Sequence, residues 1–289
     1  MGNEHKPDPS LFLLQEPVKI FDELYFIGNR MVGIYIITTS EGLVLIESME
    51  TLDADEEFLQ PSLEKLGLEK APILALFLTH GHFDHYMGSC AIQRRTGCKV
   101  ALSKEDTAYM SWSVENQEPG RPLELPRINL VVKDGDEYTF GDFTMYVMEA
   151  PGHTPGCLNY SFDVHDHGEK HRVIMFGGYG VFGPGNYPDN NHVYPYGIQW
   201  ACDQALTFAS SCIKTWEYCK KERVDVYFNP HPHLCDLHKH AEENKNRQPG
   251  DPNAFVIGTE GVRRWILDRF QVCIDSVQRF TDLNETFKG

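Results

Sequence analysis

Hydrophobic positions in this chain fall into short runs that are separated by turn residues. Three runs rich in β-forming side chains come first, at 24–28, 33–39 and 43–48. A continuous apolar run follows at 71–79, and it is typical of a strand that is buried on both faces. This half of the chain is therefore predicted to contain a sheet with a buried central strand.

Helical segments are predicted among these runs. Asp53 to Leu66 has an amphipathic pattern, with Asp53 as the expected N-cap and Gly67 as the expected stop. Residues 86–96 and 104–110 also favour helix. Strands and helices are thus expected to alternate along the first half.

The second half again runs from strands to helix. Strands are predicted at 128–132, 138–140, 144–150, 158–164, 172–178 and 224–229. Helices are predicted at 199–221, 236–247 and 258–281. Two β-rich halves that each end in helix predict an α/β fold in which two sheets pack face to face with helices outside.

Composition indicates a folded chain rather than a disordered one. The chain has 289 residues, of which 41% are hydrophobic. Because no linker is visible, we expect one domain at 20–285, preceded by an N-terminal extension at 1–19. The formal charge of −16 argues against nucleic acid or an anionic membrane as a partner.

Cysteine usage and the first residues favour a reducing compartment. The eight cysteines include no C-x-x-C pair and are interpreted as free, mostly buried thiols. The first 15 residues lack the basic and long apolar stretches of a signal peptide. No run approaches the roughly 18 apolar residues of a membrane span. We therefore expect a soluble, cytoplasmic protein, unless a cleaved signal preceded Met1.

Four potential metal ligands lie in the stretch THGHFDH at 79–85, directly after the buried apolar run. Imidazole and carboxylate are ligands that zinc prefers at hydrolytic sites. A short loop can point His80 and His82 to one side, and Asp84 and His85 to a neighbouring position. This stretch supplies too few ligands for two metals, so distant histidines are needed.

Two such histidines follow predicted strands in tight turns. His153 lies in APGHTPG, and His231 lies in FNPHPH, where His233 is its main competitor. A histidine in a turn is more often structural, but the motif at 79–85 favours the ligand interpretation here. The remaining histidines are expected in a solvated hairpin or near an exposed helix start: His165, His167, His171, His238 and His240.

THGHFDH, PGHTPG and NPHP, in this order, resemble the metallo-β-lactamase fold superfamily. The resemblance covers roughly 20–275 and implies an αββα sandwich with the metals at the edge between the sheets. The likeness is greatest to the β-lactamase subclass whose second zinc is held by Asp, His and His. It implies two zinc ions, the first bound by His80, His82 and His153 and the second by Asp84, His85 and His231.

Two segments depart from the superfamily pattern. Many of its hydrolases, including glyoxalase II and the lactonases, carry a bridging Asp where this chain has Gly177, Gly178 and Tyr179. The difference weakens those two interpretations and is compatible with the lactamase subclass. Glu47 stands near the place of another family Asp, and it is expected to orient a ligating histidine. Cys157 is interpreted as a buried thiol rather than a ligand, as is Cys235.

The resemblance implies a zinc-dependent hydrolase that attacks an amide, ester or lactone carbonyl of a small molecule with a metal-bound hydroxide. Hydrolysis of β-lactams belongs to this class. Asp84 is expected to orient the hydroxide, and Tyr187, or alternatively Tyr179, is expected to donate to the oxyanion. The alternatives are a redox or di-iron protein of the same fold, and a thioesterase or lactonase. Iron and manganese rank behind zinc, and the oligomeric state stays open.

Overall fold

Two β-sheets form the centre of the computed structural model, which describes residues 15–115, 124–181 and 197–286. The first sheet has seven strands in sequential order: β1 (Val18–Lys19), β2 (Leu24–Gly28), β3 (Gly33–Thr38), β4 (Leu43–Ile46), β5 (Ile73–Phe77), β6 (Lys99–Ser103) and β7 (Leu130–Val132). The second has the order β12-β11-β10-β9-β8, with β8 (Glu137–Phe140), β9 (Phe143–Glu149), β10 (Leu158–Asp166), β11 (Glu169–Met175) and β12 (Val226–Phe228). The predicted two-sheet α/β architecture is confirmed.

Seven α-helices accompany the sheets in the described part of the chain: α1 (Gln60–Leu66), α2 (Phe83–Tyr86), α3 (Ser89–Thr96), α4 (Lys104–Glu115), α5 (Gly197–Glu222), α6 (Leu237–Lys245) and α7 (Gly258–Thr286). The two long helices, α5 and α7, pack against each other. Within the described residues, every helix is too short or too polar to span a membrane.

Aromatic side chains join the two sheets. The ring centroids of Phe77 and Tyr160 are 5.5 Å apart, and those of Tyr35 and Phe228 are 5.3 Å apart. The buried hydroxyl of Tyr160 donates to the carbonyl of Leu78, and that of Tyr35 donates to the carbonyl of Asn229. Both carbonyls lie at strand ends, so the phenols connect the core to the loops that follow β5 and β12.

Parallel pairing brings several strand ends to one edge of each sheet. Strands β4, β5 and β6 are parallel neighbours in the first sheet, and β11 and β12 are parallel neighbours in the second. The carboxyl ends of parallel strands lie at the same edge, where functional loops commonly gather. The loops after these strands carry the candidate ligands at 80–85 and at 231.

The predicted helices of the first half differ from the structure in detail. Asp53 lies at the expected start, where its carbonyl accepts the first helical hydrogen bond, from the N–H of Glu57 at 2.8 Å. The segment then continues through a π-type turn, Asp55–Leu59. Its predicted stop at Gly67 is confirmed by a left-handed φ of 69°. The expected helix at 86–96 is divided, because α2 ends before Gly88 and α3 begins after it.

The histidine-rich hairpin is tighter than expected. Strands β10 and β11 extend to Asp166 and Glu169, which leaves His167 and Gly168 as the turn. His165 Nδ1 pairs with Glu23 at 2.8 Å, and His171 Nδ1 pairs with Asp225 at 2.7 Å. Two of the three histidines therefore hold neighbouring segments together through hydrogen bonds to carboxylates.

Candidate metal centre

The structure brings the six predicted ligands together as two groups of three. Within each group the potential ligand atoms all lie within 4.8 Å of one another. The first triad is His80, His82 and His153; the second triad is Asp84, His85 and His231. His80 and His82 come from the loop after β5, and Asp84 and His85 from the short helix α2. His153 lies between β9 and β10, and His231 follows β12.

In the first triad, two imidazoles face each other across a short gap. His80 Nε2 and His153 Nε2 are 3.2 Å apart. The opposite nitrogens are already bonded: His153 Nδ1 donates to the carbonyl of Gly180 at 2.6 Å, and His80 Nδ1 pairs with Thr79 Oγ1 at 2.9 Å. Two nitrogens bound tetrahedrally to one zinc lie about 3.3 Å apart, given Zn–N bonds of about 2.0–2.1 Å. The spacing of the pair thus fits a zinc ion.

The second triad contains an unsatisfied buried nitrogen. His85 Nε2 is buried and has no hydrogen-bond partner, and Asp84 Oδ2 lies 3.6 Å from it. His231 Nε2 lies 3.8 Å from the same oxygen. A buried polar atom without a partner is costly, and a metal ligated by all three side chains would satisfy it. This triad therefore fits a metal as well.

Burial keeps four of the five imidazoles neutral. It lowers the pKa of His82 to about 4 and, together with the neighbouring His85, the pKa of His231 to about 4. The pKa values of His80 and His153 also lie well below the ordinary value, chiefly because of burial. Metal binding requires the neutral form of imidazole, so these side chains are ready to ligate at neutral pH.

Asp84 and His85 shift each other's pKa values. Burial raises the pKa of Asp84, but His85 and His231 outweigh it and lower the value to about 2. Burial lowers the pKa of His85, whereas Asp84 and Glu47 raise it to about 9. The metal-free second triad therefore holds an ionised carboxylate and a proton on His85 at neutral pH, and an incoming cation would displace that proton.

Glu47 orients His85 of the second triad through a hydrogen bond, as expected. Its Oε2 accepts from His85 Nδ1 at 2.7 Å, and its Oε1 accepts from the backbone N–H of Thr79 at 2.8 Å. The residue has a φ of 71°, which is uncommon for a non-glycine residue. The two hydrogen bonds hold this strained backbone, and they link the loop after β4 to the ligand-bearing loop after β5.

Asn229 is a second residue that connects ligand loops, and its role was not predicted. Its Nδ2 donates to the carbonyls of Phe176 and Gly178, at 2.8 and 3.0 Å, and its Oδ1 accepts from the N–H of His231 at 2.9 Å. His231 Nδ1 in turn donates to the carbonyl of Met31 at 2.7 Å. The Asn before Pro in NPHP was the only sequence signal for this contact.

The atoms packed around Gly177 and Gly178 leave no space for a bridging carboxylate. A Cβ on Gly177 would lie 2.0 Å from the carbonyl oxygen of Leu158, and a Cβ on Gly178 would lie 2.7 Å from His153 Cβ. The next residue, Tyr179, packs its ring 4.5 Å from the guanidinium of Arg269. The departure from the superfamily pattern at 177–179 is thus built into the packing.

The other predicted site residues divide into two groups. Cys157 and Cys235 are buried and belong to neither triad; burial raises the pKa of the Cys157 thiol well above its ordinary value and that of Cys235 to about 12. The expected inert thiols are consistent with these positions. Tyr187, the expected oxyanion donor, lies outside the described residues.

With both triads in place, comparison with known proteins shows what the chain resembles. Residues 27–166, just under half of the chain, match the sequence profile of the metallo-beta-lactamase superfamily. The matched segment contains five of the six triad residues, and the chain is similar to this superfamily there. A subclass B3 metallo-beta-lactamase of Bradyrhizobium japonicum superposes with a TM-score of 0.75 at 23% identity, covering 96% of this chain and 98% of that one. The metallo-beta-lactamase of Legionella gormanii gives 0.74 at 25%, covering 95% and 98%. The αββα fold expected from the motifs is confirmed.

The curated proteins that match this chain in sequence are named as hydroxyacylglutathione hydrolases rather than as metallo-beta-lactamases. A hydroxyacylglutathione hydrolase of Rhizobium etli is 29% identical over 134 residues, which are 45% of this chain and 46% of that protein. Another, from Brucella anthropi, is 34% identical over 85 residues, 29% of this chain and 27% of that protein. The chain thus matches less than half the length of these relatives. Superfamily members of both kinds are metal-dependent hydrolases.

Proposed function

We propose that this chain is a dizinc hydrolase that cleaves an amide, ester, thioester or lactone carbonyl in a small molecule. The observation that carries the proposal is the convergence of six ligand atoms in two triads. Four of the five imidazoles have an Nδ1 that is already engaged by a protein group, and this leaves Nε2 for the metal. The chemistry that zinc supplies when bound is Lewis-acid activation of water and of the scissile carbonyl.

The exposure of the ligands indicates from which side a substrate approaches. Asp84 and His231 are 27% and 19% exposed at their side chains. His80 and His85 are 0% and 1% exposed, and His153 is 3% exposed. Two of the three ligands of the second triad are therefore partly exposed, whereas in the first triad only His82 is, and His80 and His153 are buried. A substrate carbonyl would arrive on the side of Asp84, whose ionised carboxylate can hold a proton at Oδ2 during turnover.

Zinc is the metal that the ligand set favours. Five imidazoles and one carboxylate suit zinc better than magnesium or calcium, which prefer all-oxygen sites. Tyr187 completes the proposal as an oxyanion donor, since its hydroxyl follows the Pro-Gly loop in the sequence. Iron and the redox alternative rank lower because the packing at Gly177 and Gly178 leaves no room for a bridging carboxylate.

Thioester hydrolysis is the second candidate within the same reaction class. The local sequence similarity to hydroxyacylglutathione hydrolases favours it. The overall superposition on subclass B3 enzymes favours β-lactams instead. Because this chain has glycines at 177 and 178 where glyoxalase II carries a bridging Asp, we rank the lactamase-like dizinc site ahead of thioester hydrolysis.

A substrate screen on metal-depleted and zinc-reconstituted protein tests the proposal. Nitrocefin, an acyl lactone, a glutathione thioester and a simple aryl ester cover the four bond types. We expect at least one to be hydrolysed only when about two zinc equivalents are bound, and we expect Asp84→Ala to abolish that turnover while the thermal melt stays cooperative. Hydrolysis that is unaffected by chelation, or by Asp84→Ala, would refute the site.

A further inference from the structure

A buried carboxylate outside the two triads lies where the ligand-bearing loops meet. Asp106 is in the first turn of α4, directly after β6, and is fully buried. Its Oδ2 accepts from the N–H of Gly81 at 2.7 Å and from the hydroxyl of Thr154 at 2.6 Å. Its Oδ1 accepts from the N–H of Gly156 at 2.6 Å. All three bonds are short, as is typical of a charged acceptor.

These donors flank the ligands of the first triad. Gly81 stands between His80 and His82, and Thr154 directly follows His153. The donors are 25, 48 and 50 residues away from Asp106 along the chain. A single carboxylate therefore bonds to both loops that supply the first triad.

Glycines allow the close approach that these bonds need. A Cβ on Gly81 would lie 2.9 Å from the carbonyl oxygen of Asp106, and a Cβ on Gly156 would lie 2.1 Å from Ser103 Oγ. Both loops thus pack their backbones directly on the start of α4. The distance between the loops is set by α4, because each loop is anchored to it independently.

Burial of the Asp106 carboxylate has an unfavourable desolvation free energy. Burial raises the pKa of Asp106 to about 6, although its hydrogen bonds oppose the shift. Its partners are two amides and a hydroxyl, and no described lysine or arginine is paired with it. A buried carboxylate without a cation is expensive unless its hydrogen bonds are needed. Its position between the two ligand loops indicates what the bonds are for.

We propose that Asp106 is the positioning residue of the first triad. By anchoring the loop at 79–82 and the turn at 151–156 to α4, it sets the 3.2 Å separation of His80 Nε2 and His153 Nε2. The second triad has its own carboxylate, Glu47, which bonds directly to a ligand. The inference rests on the proposed function in one respect, namely that the triads bind zinc.

Zinc titration of the full-length, metal-depleted protein against a chromophoric chelator tests the assignment. Asp106→Asn has the shape of the native residue but only one acceptor oxygen, so its NH₂ must face a donor N–H or hydroxyl. We expect zinc affinity at the first triad to fall by about 10- to 100-fold, with little change at the second. His153→Ala and His231→Ala identify which binding step belongs to which triad.

Asp55→Asn is the matched control for burial and charge. Asp55 is buried too, but it is paired with Arg95 through two hydrogen bonds of 2.7 Å, and its third hydrogen bond comes from Gln60 in the following helix. We expect Asp55→Asn to lower the melting temperature and to leave both zinc affinities unchanged. If Asp106→Asn fails to fold, Thr154→Val removes one donor of the cluster and should weaken the first site by a smaller factor.

The outcomes separate this inference from the proposed function. Wild-type zinc affinities in Asp106→Asn, or equal losses in Asp106→Asn and Asp55→Asn, would overturn the positioning role and leave the dizinc site intact. A wild-type protein that binds no zinc would overturn both. Selective loss at the first triad, with a cobalt-substituted spectrum altered at that site alone, would support the assignment.

Discussion

The two triads of the centre are supported in different ways. The first is composed of three neutral imidazoles, two of them buried and one half-buried, and is connected to α4 through the backbone contacts of Asp106. The second includes a carboxylate, faces solvent at Asp84 and His231, and is oriented by the side chain of Glu47. Under the proposed function, the difference assigns two roles: a more buried first site, and a more accessible second site on the side from which a substrate would approach.

The largest effect is expected from removing one ligand of either triad. His153→Ala deletes an enclosed ligand, and His231→Ala deletes an accessible one. We expect hydrolysis to fall below detection in both variants, with bound zinc reduced from two equivalents to about one. Metal analysis and turnover measurements check this, and His167→Ala, in the exposed hairpin turn, is the control. Activity that persists in His153→Ala would show that the enclosed site is dispensable.

A smaller effect is expected from Glu47→Gln, which keeps the shape of the side chain and removes its charge. Because Glu47 accepts from His85 Nδ1, the change should lower zinc affinity at the second triad by about 10- to 100-fold. Isothermal titration with zinc measures the two steps separately. Glu47 Oε1 also accepts from the Thr79 N–H in the loop of His80, so the variant could affect both sites. Equal weakening of the two sites would contradict a specific role of Glu47 in the second triad.

The tight packing at Gly177, where this chain lacks the bridging Asp, predicts that a larger side chain there will lower stability. Gly177→Ala places a methyl group 2.0 Å from the carbonyl oxygen of Leu158, so the backbone must move. Overpacking of this kind should lower the free energy of unfolding by about 1–3 kcal/mol. Urea denaturation measures it. Gly180→Ala is the control, because its nearest contact is the end of the Val272 side chain at 2.8 Å. Equal stability of the two variants would contradict the tight packing.

The last prediction concerns the acid stability of the metal-free protein, which should change gradually with pH. The pKa values of His82 and His231 are lowered to about 4, so the unfolded chain takes up protons below pH 6.5 that the folded protein does not. The free energy of unfolding should therefore fall as pH drops from 6.5 towards 4, by up to about 1.4 kcal/mol per pH unit for each imidazole.

The histidines of the two triads can be separated in that experiment. The contribution of His85, whose folded pKa is about 9, is fully present below pH 6.5 and stays constant in this window. His82→Ala and His231→Ala should each flatten the dependence, as measured by urea denaturation in the presence of a chelator. A slope that neither variant changes would mean that the folded protein protonates these imidazoles as readily as the unfolded chain.

Local patterns in the sequence were sufficient for most of the fold. The buried run at 71–79 contains β5, and the helical periodicity at 199–221 and 258–281 marks most of α5 and α7. Prediction failed where distant segments meet: α2 and α3 separate at Gly88, whose backbone is so close to the loop after β4 that a Cβ would lie 2.1 Å from the carbonyl oxygen of Ser48. A close approach between distant segments has no signature in hydrophobic periodicity.

The sequence by itself determined the ligand types, because THGHFDH places His80, His82, Asp84 and His85 in one short loop after a buried strand. His153 was brought to them only by the resemblance and the fold. Asp106 could not be found from sequence, since an acidic residue in the first turn of a helix is common and its partners lie 25 to 50 residues away. Only the tertiary structure decided which side chains connect the ligand loops, because those contacts depend on how the segments after β5 and β6 in one sheet meet the segment after β9 in the other.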